Sequence, residues 1–163
     1  MVTLKNILVA TDFSEPSGVA LNYGRDLARS YNARLHVIHV VEDILMRYSP
    51  EIAYAVPQMQ KDLEETASRD LKALITDDDR NTLMVEPVIL TGLNMAESIV
   101  SYAKDHAIDL IIAGTHGRGA VKHFLMGSVA ERVVRFAPCP VLTVREHERD
   151  FIGPDAIVAT ATA

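Results

Sequence analysis

The sequence predicts an α/β domain built on a single doubly wound, five-stranded parallel sheet with helices on both faces. Three observations predict it. Short runs that are apolar on nearly every residue recur along the chain, as at 7–10, 35–41 and 109–113, and such runs suit strands buried on both faces. Longer segments between them carry apolar residues at helical spacing. No stretch is repeated, so the alternation of five strands with four helices belongs to one copy joined by right-handed crossovers.

Leu4 to Ala10 is the first strand and ends at Thr11-Asp12-Phe13-Ser14. Ser14 is placed to cap a helix whose first turn holds Glu15 and Pro16. Ala20, Tyr23, Leu27, Ala28 and Tyr31 mark its inner face. Leu35 to Val41 is the second strand. Residues 42–56 mix apolar and polar side chains without a period and read as a lid-like loop. Pro57 opens a long amphipathic helix, with Met59, Leu63, Ala67, Leu71 and Leu74 expected in the core. Thr82 to Leu90 is the third strand, and Pro87 assigns it to a sheet edge, where a missing N–H costs little. Gly92 turns the chain into Asn94-x-x-Glu97, a capping-box pattern before a helix with Ala96, Ile99, Val100 and Ala103 inward.

Residues 109–113 form the fourth strand, and a glycine-rich stretch, Gly114 to Ser128, follows it. Ser128 is the expected N-cap of the last helix, with Glu131 completing a capping box. Pro140 to Val144 is the last strand. The tail, 146–163, has neither helical period nor bulk and is expected to be flexible or partner-dependent, outside a domain at 1–145.

At 163 residues one domain is the default, and 48% hydrophobic with 23% charged residues is ordinary for a soluble globule. A net charge of −6 with no basic block argues against nucleic acid as a partner. One cysteine, no signal-peptide layout and no apolar run near the ~20 residues of a membrane span lead us to expect a cytoplasmic protein without membrane association.

The glycines near the last helix let a ligand approach backbone N–H groups at a helix start, an arrangement that suits anions, or they serve a plain turn. Asp12 either accepts hydrogen bonds from a ribose or caps the helix beginning near Ser14. Arg118, Lys122 and His123 either screen a polyphosphate or are solvated loop residues. His36 and His39, three apart on a strand, point to opposite faces and cannot share a metal. His116 has no visible partner, no zinc-ligand cluster exists, and Cys139 reads as a small buried residue. A P-loop would need Gly-Lys-Ser/Thr, whereas Gly119 is followed by Ala-Val-Lys-His.

Gly114-x-x-Gly117, nine residues, then Gly127-Ser128 resembles the nucleotide-binding signature of the universal stress protein family. Ile-Leu-Val-Ala-Thr-Asp-Phe-Ser (7–14) and Ala-Pro-Cys-Pro-Val-Leu-Thr-Val (137–144) resemble that family's first strand with its loop and its last strand. The resemblance implies strand order 3-2-1-4-5 and a ligand crevice where strands one and four part. It implies ATP as the ligand, with or without magnesium. Ala10, Thr11 and Asp12 would line the nucleoside, and the backbone of Val40 would read the adenine edge. Gly114 opens the phosphate loop, and Gly117, Gly127, Ser128, Val129 and Ala130 would surround the phosphates. A hydroxylic residue is common at the position of Ala130, so one contact is missing here. The implied function is a cytosolic, nucleotide-responsive regulatory module of the stress response. It would pair as a homodimer through 141–144 and act on a protein partner the sequence does not name. The alternatives are a slow ATP hydrolase or nucleotide-transfer enzyme, and a dimeric scaffold with an empty pocket. Asp12 is the only acid evident at the strand-one or strand-four pocket mouth and no second metal ligand is seen, so any hydrolysis is expected to be slow, and no catalytic or metal-ligating residue is assigned.

Overall fold

A computed structural model describes residues 1–45, 55–115 and 126–145. Five parallel strands form one sheet in the order β3-β2-β1-β4-β5, with β1 at Asn6–Ala10, β2 at Arg34–Glu42, β3 at Met84–Gly92, β4 at Leu110–Gly114 and β5 at Val141–Val144. The helices are α1 (Glu15–Tyr31), α2 (Val56–Leu74), α3 (Asp77–Thr82), α4 (Met95–Asp105) and α5 (Ser128–Phe136).

Strand alternation sorts the core into two layers. Ile7, Val9, Leu35, Val37 and Ile112 face α1 and α2 and pack on Ala20, Leu21, Ala28 and Leu71. Leu8, Ile38, Val40 and Ile111 face the other way, onto Ala96, Ile99, Ala103 and Val133 of α4 and α5. In α1 the expected inner face holds at Ala20, Tyr23 and Ala28, while Tyr31 is exposed at the helix end. Helix α1 lies so close to the sheet that a Cβ at Gly24 would strike the Val9 side chain. The helix ends where Asn32 enters the left-handed region and returns its N–H to Ala28 and Arg29.

Several expected boundaries move. Thr82 ends α3 rather than starting a strand. Thr76 caps that short helix, exchanging hydrogen bonds with Asp79, and three aspartates occupy its first turn, where the helix dipole favours negative charge. Four helices were expected and five are described, because α3 has no apolar period to announce it. The α2 stripe divides: Ala67 and Leu71 are buried, but Met59 and Leu63 are nearly half exposed. Of residues 42–56, Glu42 ends β2, and Ile44 donates its N–H to Gln60 Oε1 at 2.9 Å. Val56 already opens α2, and 46–54 lie outside the described residues, as does the tail.

Pro87 stands on β3, the edge strand, opposite Val37. Ile38 directs its peptide groups toward β1, accepting from Thr11 N. Neighbouring Val37 therefore turns its own toward β3, and the Pro87 nitrogen points outward, where no donor is required. Among the described residues no helix is long and apolar enough to cross a membrane.

Candidate functional site

The sheet has its switch point at β1, which pairs with β2 on one side and β4 on the other. Beyond the carboxyl ends of these strands lies a cleft of about 750 Å³. Nine of the ten expected site residues line it: Ala10, Thr11, Asp12, Val40, Gly114, Gly127, Ser128, Val129 and Ala130. Gly117 lies outside the described residues, together with His116, Arg118, Lys122 and His123.

The turn after β1 is held by short polar contacts. The Asp12 carboxylate accepts from Ser14 N at 3.1 Å and also from the Ser14 hydroxyl. Thr11 Oγ1 accepts from Phe13 N at 3.1 Å and shares a 3.0 Å hydrogen bond with Ser17 Oγ. Ser14 does sit at the N-cap of α1, but its side chain bonds Asp12 rather than the helix amides. Phe13 takes φ = 63°, left-handed for a residue with a side chain, and its ring rests on His39 at 4.4 Å between centroids.

His39 changes what the end of β2 offers. One further step of the β1–β2 ladder would send Val40 N–H to Thr11 C=O and Phe13 N–H to Val40 C=O. Neither group follows that pattern. Thr11 C=O accepts from His39 Nδ1 at 2.8 Å, and Phe13 N–H goes to Thr11 Oγ1. Among the described residues the peptide edge of Val40, one donor beside one acceptor, takes no backbone partner at this step, and Val40 lines the cleft. That pair complements the hydrogen-bonding edge of a purine.

At the other end of the cleft stands α5. Its N-cap is Gly127, not Ser128, and no side chain caps it. The expected capping box is therefore absent: Glu131 N–H makes the first helical bond, to Gly127 O at 2.9 Å. The N–H groups of Ser128, Val129 and Ala130 precede that bond and, among the described residues, are first-turn donors without a backbone partner, which suit an anion. Gly127 has φ = −71°, open to any residue, so its conformation does not demand glycine. Gly114 has a different cause: a Cβ there would come within 3.0 Å of the Pro16 backbone, so glycine lets β4 meet the start of α1. Gly127 N donates to Thr115 O at 2.6 Å and Thr115 N to Val144 O at 2.8 Å, which ties both ends of the glycine loop to the sheet.

Sequence reasoning missed part of the wall. Leu63, Thr66, Ala67 and Asp70 of α2 border the cleft, as do Glu42, Met95 and Ile99. Asp12 stands after β1, and Glu42 at the end of β2 and Asp70 of α2 add two further acids to the cleft lining. Helical spacing put Leu63 and Ala67 on one face, but it could not show that this face runs past the sheet. Among the described residues no group of three or more His, Cys, Asp or Glu side chains could hold a metal ion. Cys139 is half-buried away from the cleft, and burial pushes its thiol pKa up.

The family model described as the universal stress protein family matches residues 3–145. A putative universal stress protein of Staphylococcus haemolyticus is 31% identical over 158 residues, covering 91% of this chain and 88% of that relative. The structure of universal stress protein UspA from Lactobacillus plantarum superimposes with a TM-score of 0.78 at 26% identity, over 89% of this chain and 100% of the other. A universal stress protein solved in complex with cAMP shares the fold, with a TM-score of 0.55 and 24% identity over 88% of this chain and 98% of the other.

Proposed function

Because the chain belongs to the universal stress protein family, we propose that it is an ATP-binding, nucleotide-responsive regulatory module of the cytoplasm. The observation that carries this reading is the pairing of two complementary ends in one cleft. The Val40 peptide edge suits a purine, and the uncapped start of α5 suits phosphates. Asp12, held by Ser14, stands beside Ala10 and Thr11 where a ribose would bridge the two ends. Ala130 offers a backbone amide only. The cAMP complex is a property of that other protein; at 24% identity its likeness contributes the fold, and the nucleotide reading rests on this cleft.

Thermal unfolding tests it. ATP at a hundred times its dissociation constant stabilises a binder by about 2.7 kcal/mol. For a domain of this size that is a rise of about 5–10 °C in Tm. Gly127→Val keeps an allowed backbone but places a branched side chain where phosphates would sit. It is expected to fold, melt near the wild-type apo temperature and show no rise with ATP. A wild type indifferent to ATP favours the empty scaffold instead. Equal rises in both proteins would refute the phosphate role of Gly127.

A further inference from the structure

We infer that His39 is a positioning residue: by capturing the Thr11 carbonyl, its ring ends the β1–β2 ladder one step early and keeps the Val40 peptide edge open for a nucleobase. The inference rests on the nucleotide reading for the identity of the ligand, but the ladder itself is visible without one.

The geometry is specific. Thr11 is 6% exposed, so its carbonyl needs a partner inside the protein. Two donors are within topological reach: the Val40 amide, which a regular ladder would supply, and His39 Nδ1, which supplies it at 2.8 Å. A carbonyl only accepts, so Nδ1 carries the proton. Phe13 keeps this arrangement in place. Its ring covers His39, and its left-handed backbone carries the chain out of strand geometry before a second ladder bond can form. The Thr11 hydroxyl then takes the Phe13 N–H that Val40 C=O would have received. Three side chains thus divert both bonds of one ladder step, and the diverted donor and acceptor belong to the residue lining the cleft.

Removing the ring should let the ladder close. In His39→Leu the Thr11 carbonyl recruits the Val40 amide, so hydrogen exchange at Val40 slows relative to apo wild type. A variant that merely loosened the turn would speed it. Nucleotide affinity falls because the base then competes with a backbone bond. The loss of one such hydrogen bond corresponds to about a tenfold rise in Kd for ATP. His39→Asn returns a donor near the position of Nδ1 and is expected to restore both readouts, whereas His39→Gln, whose amide lies further out, is not.

The measurements are amide exchange and imidazole ¹⁵N shifts on the full-length apo protein, with calorimetric titration of ATP. The expected result is an Nδ1–H tautomer in wild type, slower Val40 exchange in His39→Leu, and rescue by Asn. An Nε2–H tautomer overturns the inference even if the leucine variant does not fold. So does unchanged or faster Val40 exchange in a folded leucine variant, or wild-type ATP affinity in it. If wild type binds no ATP while Val40 still gains protection, the ladder role stands and the nucleotide reading fails.

Discussion

His36 is 3% exposed and hydrogen-bonds Tyr102 Oη through Nδ1 at 3.0 Å, while its Nε2 is buried without a partner. Burial is the main cause that holds its pKa below 6.5. Glu86, 3.8 Å from Nδ1, opposes that, and His106 and Arg34 add to it. The native protein therefore resists a proton that the unfolded chain accepts. The stability this contributes is full above about pH 6.5 and declines as pH falls toward the depressed native value. His36→Leu should flatten the dependence of the urea midpoint on pH between 7 and 5; an unchanged slope would remove His36 as the cause. The period-2 pattern of β2 was enough to place His36 and His39 on opposite faces. It could not tell which one meets Tyr102 from α4 and which meets the carbonyl of Thr11, just after β1, because those partners lie 66 and 28 residues away.

Elements were legible where a period repeats. The strand runs and the helices α1, α2, α4 and α5 emerge within a few residues of their ends. Helix α3 does not, since six polar residues carry no apolar period, and its capping box uses aspartate where glutamate or glutamine is usual. What fixes α3 is a distant partner. Arg25 of α1 grips Asp79 with Nε at 2.9 Å and Nη2 at 2.7 Å, and the same Nη2 donates to Leu74 O. Burial alone would raise the Asp79 pKa, but the hydrogen bonds from Arg25 and Thr76 outweigh it and hold the carboxyl below its ordinary value. Its contribution is therefore present above about pH 4 and lost as pH falls through the native pKa. Arg25→Ala removes both guanidinium hydrogen bonds from a carboxylate that is 3% exposed, leaving it the Thr76 N–H and Arg29 at 3.9 Å. We expect a loss of about 2–4 kcal/mol at pH 7, shrinking toward pH 3 as the carboxyl takes up a proton. Urea denaturation at both pH values measures it, and an equal deficit at each would assign the loss to packing of the arginine stem.

For the whole molecule, parallel topology brings the ends of β1, β2 and β4 together whatever the loops do, while the family resemblance supplied which residues to expect there, Val40 among them. The α2 wall could not be read from the sequence, since its distance from the sheet depends on packing. Assembly is the remaining question. β5 pairs only with β4 among the described strands, and its Val141 and Leu142 are half-buried. We expect two copies to join along 141–144 about a two-fold axis, and light scattering at micromolar concentration should give twice the chain mass. A monomer would contradict this.

The opposite rim decides where such pairing stops. Pro87 sits there with its nitrogen facing out, so a strand arriving at β3 finds a gap in the row of donors. In polymer terms, the expected pairing would make the chain nearly monofunctional: the β5 rim couples, and the β3 rim lacks a donor at Pro87. A monofunctional unit couples once and terminates, so that pairing is expected to stop at two copies.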